Sequence, residues 1–301
     1  MIDPVTLDQL RTFVAAVDEG SFSAAGRKLG RAQSVVSQTI AGLEMQLQVT
    51  LFERVGRYPV PTEAGNTLAG EARAVLQQAG QFKARAQDLA RGIEPELAIA
   101  VDATFPTHIL TSAVTDFQTM FPDTKLRVYV ESLGGVIQPV LERRYSFAVS
   151  GVAPLFSDEL QLERLHSFKL IMVAAASHPL ATLESPVRRE QLSQHVQLVL
   201  TDRSDLTVGK QFGVVGQKHW LLADLGAKHA FLLAGLGWGG MPAWMVGADI
   251  ASGKLVELDV DPAAWSDDDL ITAYTLHRRD TPPGPAGRWL MNCLGKHSAD
   301  A

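Results

Sequence analysis

The sequence predicts an α/β plus all-α chain, with a helical front segment and a larger α/β domain behind it. Three observations predict this organisation. Apolar residues recur at helical spacing through residues 1–61, a seven-residue apolar repeat runs through residues 62–91, and short apolar strands alternate with helices over residues 92–301. A seven-residue repeat is typical of a coiled-coil helix, and strand–helix alternation is typical of a largely parallel sheet. We therefore expect three units with these bounds.

The composition excludes several classes of protein. Cys293 is the only cysteine, so neither a disulfide framework nor a thiolate metal cluster is expected, and the eight histidines lack the H-E-x-x-H spacing of a zinc site. No apolar run approaches the roughly 20 residues of a membrane span, and the first residues lack the pattern of a secretory signal. We expect no metal, no cofactor and no membrane contact, and a location in the cytoplasm.

The distribution of charge matters more than its total. The net charge is −6, which by itself argues against non-specific binding to nucleic acid. The first 91 residues, however, hold ten lysines and arginines against nine acidic residues, and several of the basic residues are clustered. Any interaction with DNA therefore depends on the local arrangement of these side chains.

The first forty-seven residues predict three short helices. Apolar residues at helical spacing between Leu7 and Val17 give the first, and residues 21–23 (SFS) offer N-cap side chains for a second that ends at Gly30. The third is expected over residues 33–47. Two helices joined by a short turn that contains glycine have the spacing of a helix-turn-helix, whose second helix can enter the DNA major groove.

Polar side chains cover one face of the third predicted helix. Such a stripe is often only a solvated surface, but glutamine can form two hydrogen bonds with a base edge, and serine or threonine can donate or accept. Two short strands around residues 55–57 then predict a wing whose arginines suit phosphate or minor-groove contact. The candidate DNA-binding residues are Ser23, Arg31, Gln33, Ser34, Ser37, Gln38, Thr39, Arg54 and Arg57.

The segment from residue 7 (LDQLRTF) to residue 65 (PTEAG) resembles the DNA-binding region of LysR-type transcriptional regulators. The resemblance implies that the polar residues of the third helix face the groove and that the arginines lie near the backbone or minor groove. It also implies a sequence-specific transcription regulator, not an enzyme, bound to a pseudo-palindromic site in double-stranded DNA, with RNA polymerase as a further candidate partner. Because Ser34 and Gln38 stand at positions that vary in the family, the operator sequence does not carry over.

A long helix is expected to begin at Thr62, which can cap it, and to end near residue 91. A large apolar residue recurs every seven residues along it, with a small residue three positions earlier. These are the d and a positions of a narrow coiled-coil seam, whereas a helix packed on its own domain needs a wider stripe. We predict a dimerisation helix within a homodimer or homotetramer. The seam residues are Leu68, Ala72, Val75, Ala79, Phe82, Ala86 and Leu89.

Residues 92–301 predict two lobes with a ligand cleft between them. The predicted strands lie at residues 97–101, 126–130, 147–150, 169–174, 197–200 and 271–274. The first three alternate with helices as in a parallel sheet, the next two indicate a second sheet, and the last returns to the first. We expect lobe 1 over about 92–165 and 270–301, and lobe 2 over about 166–269. A cleft between such lobes lies outside the carboxyl ends of the strands.

Three segments of this region resemble landmarks of the LysR-type effector-binding domain: DFQTMFPDTKLRV, SHPLA and AGLGWGGMPAWMVGADIASGKLVEL. The resemblance implies a periplasmic-binding-protein-like fold that binds a small-molecule effector. Family members commonly bond the effector through residues at the positions of Thr104, Ser132 and Thr201, although each could equally be an ordinary loop residue. The candidate effector-binding residues, taken from strand ends, are Thr104, Phe105, Ser132, Gly151, Val152, Thr201 and Asp202.

The residue at position 152 bears on the charge of the effector. Some relatives that bind carboxylates have an arginine where this chain has Val152. We therefore expect a neutral, weakly charged or aromatic effector. The aromatic residues Trp220, Phe231, Trp238 and Trp244 could form a wall of the cleft, although structural packing is the more ordinary role for most of them.

Other functions have less support in the sequence. The G-x-G-x-x-G pattern at residues 235–240 follows a helix and precedes Met241-Pro242, which indicates a helix-to-strand turn and not a nucleotide site. A solute-binding or enzymatic α/β protein would need a signal peptide or a catalytic constellation, and the sequence shows neither pattern. The alternative that stays open is a DNA-binding regulator whose C-terminal domain only oligomerises and binds no effector.

Overall fold

A computed structural model describes residues 5–55, 58–151, 155, 157–183, 186–265 and 270–299. The chain divides into two compact units, residues 1–90 and residues 91–301. Among the described residues, no helix is both long enough and apolar enough to cross a membrane.

The first unit is a winged helix-turn-helix followed by one long helix, which confirms the fold predicted for this part of the chain. Its elements are α1 (Leu7–Asp18), α2 (Phe22–Leu29), α3 (Gln33–Leu47), β1 (Phe52–Val55), β2 (Tyr58–Pro61) and α4 (Glu63–Ala90). The two strands are antiparallel, with Phe52 opposite Pro61. A core that includes Phe13, Ile40 and Leu43 lies between the helices.

Local side chains determine where these helices begin and end. The Ser21 hydroxyl accepts a hydrogen bond from the Ala24 N–H at 3.1 Å and so caps α2. The helix ends at Gly30, whose φ of 68° is readily adopted only without a Cβ. Gly26 permits the tight turn that follows, because a Cβ there would lie 2.7 Å from the Arg31 carbonyl oxygen. These features fix the angle at which α3 leaves α2.

The second unit is the predicted two-lobed α/β domain. Its strands are β3 (Glu96–Asp102), β4 (Lys125–Glu131), β5 (Phe147–Ser150), β6 (Leu160–Ala175), β7 (Gln197–Leu200), β8 (His219–Leu222), β9 (Trp238–Pro242), β10 (Leu255–Glu257) and β11 (Leu270–Arg278). Its helices are α5 (Thr107–Met120), α6 (Gly134–Leu141), α7 (Arg189–Ser193), α8 (Leu225–Leu233), α9 (Ala243–Ala251) and α10 (Pro285–Ala299).

The strands follow the order β4-β3-β5-β11-β6-β9-β7-β8, and β10 also pairs with β6. Lobe 1 contains the parallel strands β3, β4 and β5, with β11 antiparallel to β5. Lobe 2 contains β9 antiparallel to β6, and β7 parallel to β8. The carboxyl ends of β3, β5 and β7 border the same cleft, where the topology of a doubly wound sheet places a ligand.

One strand, β6, belongs to both lobes. It pairs with β11 from Leu160 to Lys169 and with β9 from Leu170 onward. The sequence pattern indicates a strand only from residue 169, and the expected lobe boundary at residues 165 and 166 falls inside β6. The first half of the strand carries exposed Glu163 and Arg164, so it lacks the continuous apolar run that identified the second half.

Candidate functional site

The exposed face of α3 carries the side chains expected to read DNA. Gln33, Ser34 and Gln38 are exposed, and Ser37 is half-buried on the same helix. The hydroxyl of Thr39 donates to the Val35 carbonyl oxygen at 2.9 Å, so part of its hydrogen-bonding capacity is used within the helix. The N-cap residue of α3 makes no side-chain capping bond, which leaves N–H groups of the first turn available to an anion such as a phosphate.

The basic residues around α3 differ in their availability. The Arg31 guanidinium forms two bonds with the Asp8 carboxylate, at 2.6 and 2.7 Å, and thereby ties the α2–α3 turn to α1. The Ser23 hydroxyl accepts from Arg27 at 3.1 Å. Arg54, on β1, is exposed. Arg57, the predicted tip of the wing, lies outside the described residues.

The wing is held in place by α3 itself. One carboxylate oxygen of Glu44 accepts from the N–H groups of Leu51 and Phe52, at 2.7 and 3.0 Å. The wing therefore has a defined position relative to the recognition helix. No local sequence pattern indicates this role of Glu44, because it depends on the turn that brings β1 back to α3.

The seam predicted on α4 divides into two parts. Ala72 is buried in the core of the first unit, and Leu68 packs against that core. These two residues therefore pack α4 on its own domain and are not available for contact with a second chain. The Arg73–Asp18 ion pair, at 2.5 Å, reinforces this contact with α1. Farther along the helix, Val75, Phe82 and Leu89 are 48%, 78% and 55% exposed. Ala79 is half-buried and Ala86 is exposed.

A cavity of about 250 Å³ lies between the two lobes of the second unit. Its lining residues come from both lobes and are mainly apolar: Asp102, Thr104, Leu133, Gly151, Leu170, Gln197, Leu198, Val199, Leu200, Phe212, Gly213, Leu225, Lys228, Gly240, Pro242, Trp265 and Ile271. The volume is close to the lower end of the range for small-molecule sites, about 300–1,000 Å³. The cavity can therefore hold a compact organic molecule.

Lys228 supplies the cationic group of the cavity lining. It lies on α8 and is only 5% exposed. Its Nζ donates to the Gly240 carbonyl oxygen at 2.7 Å, and no acidic partner for it is recorded among the described residues. Burial lowers the pKa of Lys228 to about 8. An ammonium has three donors, so this group can still bond an acceptor atom of a ligand.

Asp102 and Thr104 form a bonded pair on the lobe 1 side of the cavity. The Thr104 hydroxyl and N–H both donate to one carboxylate oxygen of Asp102, at 2.6 and 2.9 Å. Burial raises the pKa of Asp102, and these bonds oppose the rise. The Trp244 indole N–H donates to the Thr104 carbonyl oxygen at 3.0 Å, so this pair also joins lobe 2 to lobe 1.

Asp202 is engaged by the protein itself. Its carboxylate accepts from the Gly135 N–H at 2.7 Å, from the Ser204 hydroxyl at 2.6 Å and from the Thr207 hydroxyl. Gly135 lies in the first turn of α6, where the helix dipole favours an anion. Asp202 thus occupies the anion position at this helix and links the lobes. With Thr201 it lines an adjoining cavity of about 370 Å³ instead of the first one.

Some sequence-predicted positions lie away from the first cavity. Phe105 is 2% exposed within the core of lobe 1, because the chain turns inward directly after Thr104. Ser132 is buried and is not among the residues that line either cavity. Val152 lies outside the described residues. Thr104 and Gly151 do line the first cavity.

The aromatic wall comes from residues that sequence reasoning did not select. Phe212 and Trp265 line the first cavity, whereas Trp220, Phe231, Trp238 and Trp244 do not. Trp238 is fully buried in lobe 2, and Trp220 is 46% exposed. Lys228 could have been found, since it stands on the apolar face of α8 with Leu225 and Leu232. No comparable pattern indicates Phe212 or Trp265, which lie in irregular segments.

Comparison with known proteins identifies the class. Residues 7–66 match the family described as "Bacterial regulatory helix-turn-helix protein, lysR family", and residues 90–299 match the "LysR substrate binding domain". The chain belongs to the LysR-type family of transcriptional regulators. It is a DNA-binding transcription regulator with an effector-binding domain, as the sequence predicted.

Particular relatives span most of both chains. The HTH-type transcriptional regulator AceR of Acinetobacter baumannii is 32% identical over 257 residues, which cover 85% of this chain and 86% of AceR. The probable HTH-type transcriptional regulator YhaJ of Escherichia coli is 31% identical, over 97% of this chain and 96% of YhaJ. These relatives are named as transcriptional regulators and not as enzymes.

Solved structures share the fold. The crystal structure of CbnR, a LysR family transcriptional regulator, matches with a TM-score of 0.56 and 19% identity over 96% of this chain and 100% of CbnR. Full-length CbnR in complex with its target DNA matches with a TM-score of 0.53 and 20% identity, over 98% of this chain and 100% of CbnR.

Proposed function

We propose that this chain acts in the cytoplasm as a homo-oligomer on a pseudo-palindromic promoter site, where α3 reads the DNA and an effector in the interlobe cavity changes transcription. The observation that carries the proposal is the exposed polar face of α3, formed by Gln33, Ser34 and Gln38. Such side chains on the second helix of a helix-turn-helix are placed to bond base edges.

Gln33 and Arg54 are the groups best placed to contact DNA. Both are exposed. Arg31 acts differently, because its guanidinium is bonded to Asp8, and we assign it the positioning of α3. Gln33 would read a base, whereas Arg54 would contact phosphate and contribute to the salt dependence of binding.

The test of DNA recognition compares Gln33→Ala with Gln77→Ala. Both glutamines are exposed, and residue 77 lies on α4, away from the predicted DNA-contacting face. Loss of a two-bond contact with a base costs about 1–3 kcal/mol, so Gln33→Ala should weaken binding to a DNA fragment that carries the promoter site roughly 5- to 150-fold. Fluorescence anisotropy measures this change. Equal affinities for the two variants would show that α3 has been assigned wrongly.

The exposed part of the α4 seam supports dimerisation through this helix. Val75, Phe82 and Leu89 are large apolar side chains that recur every seven residues and remain exposed in the single chain. A facing copy of α4 would bury them. Exposed apolar residues on the edge strands β4 (Val128 and Val130) and β8 (Trp220 and Leu221) offer a second contact for a homotetramer.

The test of the seam is Phe82→Asp, with Gln77→Asp as the matched control. Because Phe82 is 78% exposed, its substitution leaves the core of a single chain intact. Analytical ultracentrifugation should show dissociation of Phe82→Asp at concentrations where the control stays associated. Unchanged association of Phe82→Asp would exclude α4 as the dimer contact.

The cavity supports a compact, largely apolar effector with one carbonyl or weakly acidic group. Its wall is apolar apart from a few groups, and among these Lys228 has donors to spare. Asp202 already occupies the anion position at α6, which disfavours a strongly anionic ligand there. Lys228 is buried and has no acidic partner among the described residues, which also favours an effector over a domain that only oligomerises, because a bound acceptor would offset its burial.

A thermal-shift screen of the full chain against small carboxylic, phenolic and carbonyl compounds tests this proposal. A ligand that binds the native state raises the unfolding temperature, and Lys228→Met should reduce that shift. If every compound that binds shifts the unfolding temperature of Lys228→Met as much as that of the unmodified chain, the effector site lies elsewhere. We propose no turnover of the bound molecule.

A further inference from the structure

Three groups that can bind a metal ion meet on the outer side of lobe 1, where α5 packs against α10. Asp116 comes from α5, and Cys293 and His297 come from α10. One ligand atom of each residue lies within 4.8 Å of the other two. This cluster is separate from the interlobe cavity and plays no part in the function described above.

The spacing on α10 places two of these groups on one face. Cys293 and His297 are four residues apart, so they are neighbours across one helical turn. His297 Nε2 lies 2.9 Å from Asp116 Oδ2, and Cys293 Sγ lies 3.8 Å from the same oxygen. In a tetrahedral zinc site, ligand atoms about 2.0–2.3 Å from the metal stand roughly 3.3–3.5 Å from one another. The two separations from Asp116 lie on either side of that value, and the Cys293–His297 separation is within 4.8 Å, so small side-chain rotations would bring the three atoms around one ion.

We propose that Asp116, Cys293 and His297 form a binding site for one Zn²⁺ ion. A thiolate, an imidazole and a carboxylate are the ligand types that zinc accepts, and a thiolate selects against magnesium and calcium. The fourth position faces an open groove and is available to water. Both α10 ligands lie in the last two turns of the helix, where its carbonyl groups favour a cation.

The surroundings of the cluster are compatible with a cation. Lys296 borders the same groove, but it is exposed and its long side chain can extend into solvent. Cys293 is 6% exposed, so most of the residue is shielded from solvent although it borders the groove. In the metal-free chain, burial and the neighbouring Asp116 carboxylate raise the pKa of the Cys293 thiol, which disfavours an independent role as a reactive nucleophile.

The expected consequence is a metal-dependent connection between α5 and α10. Zinc binding would displace the thiol proton of Cys293, so one proton should be released for each ion bound near neutral pH. Binding to the native state alone would also raise the unfolding temperature of the second unit.

The experiment uses the full, tag-free chain with Zn²⁺ and, as a spectroscopic probe, Co²⁺. Isothermal titration calorimetry in buffers of different ionisation enthalpy gives affinity and proton release. The near-ultraviolet charge-transfer band of a Co²⁺–thiolate bond reports on Cys293. The variants are Cys293→Ser and Asp116→Asn, and the matched control is His229→Gln. His229 forms a histidine–aspartate pair with Asp249 at the same 2.9 Å, but no cysteine stands beside it.

The proposal predicts one high-affinity ion per chain, a charge-transfer band, and release of a proton that Cys293→Ser abolishes. Changing an outer-shell partner of a metal site already costs about 10- to 100-fold in affinity, so loss of the thiolate should cost at least about tenfold. Asp116→Asn should weaken binding, and His229→Gln should not. If Cys293→Ser binds zinc as tightly as the unmodified chain, or if no thiolate band forms with Co²⁺, the site does not exist. A decrease confined to His229→Gln would place the ion at Asp249 and would equally overturn the proposal.

Discussion

The substitution of Lys228 by methionine gives a quantitative test of the cavity. Methionine has nearly the same length and no charge, so the variant removes the buried ammonium without leaving a large void. The variant also loses the bond to the Gly240 carbonyl oxygen, which costs about 1 kcal/mol. The titration of Lys228 makes the stability of the unmodified chain depend on pH, and the variant lacks that dependence.

The size of this dependence follows from the pKa of Lys228, which burial lowers from 10.5 to about 8. Each pKa unit corresponds to about 1.4 kcal/mol, so keeping the lysine charged inside the folded chain costs about 3 kcal/mol. Between pH 8 and 10.5 the unfolded chain binds the proton and the folded chain does not, so stability rises with pH. Below pH 8 the full cost is present, and above 10.5 it is absent.

Urea unfolding followed by tryptophan fluorescence measures the effect. All five tryptophans lie between residues 220 and 289, so the signal reports only on the second unit. The free energy of unfolding of Lys228→Met, relative to the unmodified chain, should fall by about 3 kcal/mol from pH 7.5 to pH 10.5. Groups common to both chains cancel in this difference. A difference that stays constant over this range would refute the argument, since Lys228 would then titrate as an exposed lysine does.

Three further substitutions test how the lobes are held. Gly237→Ala should destabilise the second unit by about 1–3 kcal/mol in urea unfolding, because its Cβ would collide with a backbone carbonyl just before β7, and an unchanged midpoint would contradict this packing. Asp202→Ala should cost about 2 kcal/mol in thermal unfolding, since the Gly135 N–H loses its charged acceptor. If Asp202→Ala instead keeps full stability and loses only the response to an effector, the residue is a ligand contact and not a lobe connection. Trp244→Phe removes the bond to the Thr104 carbonyl oxygen and should cost about 1 kcal/mol, with faster amide exchange near residue 104; unchanged exchange would show that the bond is not formed in solution.

The DNA-binding part of the fold was predictable because its determinants are local. The cap at Ser21, the left-handed Gly30 and the apolar spacing of α3 all lie within a few residues of the features that they determine. The seam on α4 was only partly predictable. The seven-residue repeat is real, but it cannot show that Ala72 packs on α1 of the same chain while Phe82 stays exposed. Which part of α4 is buried depends on how far α1 extends alongside it in the folded chain.

The cavity was less predictable, because its residues come from distant parts of the chain. The ends of β3 and β5 indicate Thr104 and Gly151, and both residues line the cavity. The next residue after Thr104, Phe105, points into the core of lobe 1 instead. Phe212 and Trp265 lie in irregular segments without periodicity. These two side chains line the cavity because of the way lobe 2 packs, and no local sequence pattern indicates this position.

Because β6 runs through both lobes, the number of residues in this strand determines which side chains face the core in each lobe. Side chains alternate between the faces of a strand, so a single residue inserted near Lys169 would reverse the facing of every side chain on one side of the insertion. The β6–β11 ladder already contains one irregularity, near Ala273 and Tyr274. Homologous chains should therefore vary in length in the loops and keep the number of residues along β6 constant. An alignment that required a gap within residues 160–175 would mark a protein whose lobes meet differently and whose cavity has a different shape.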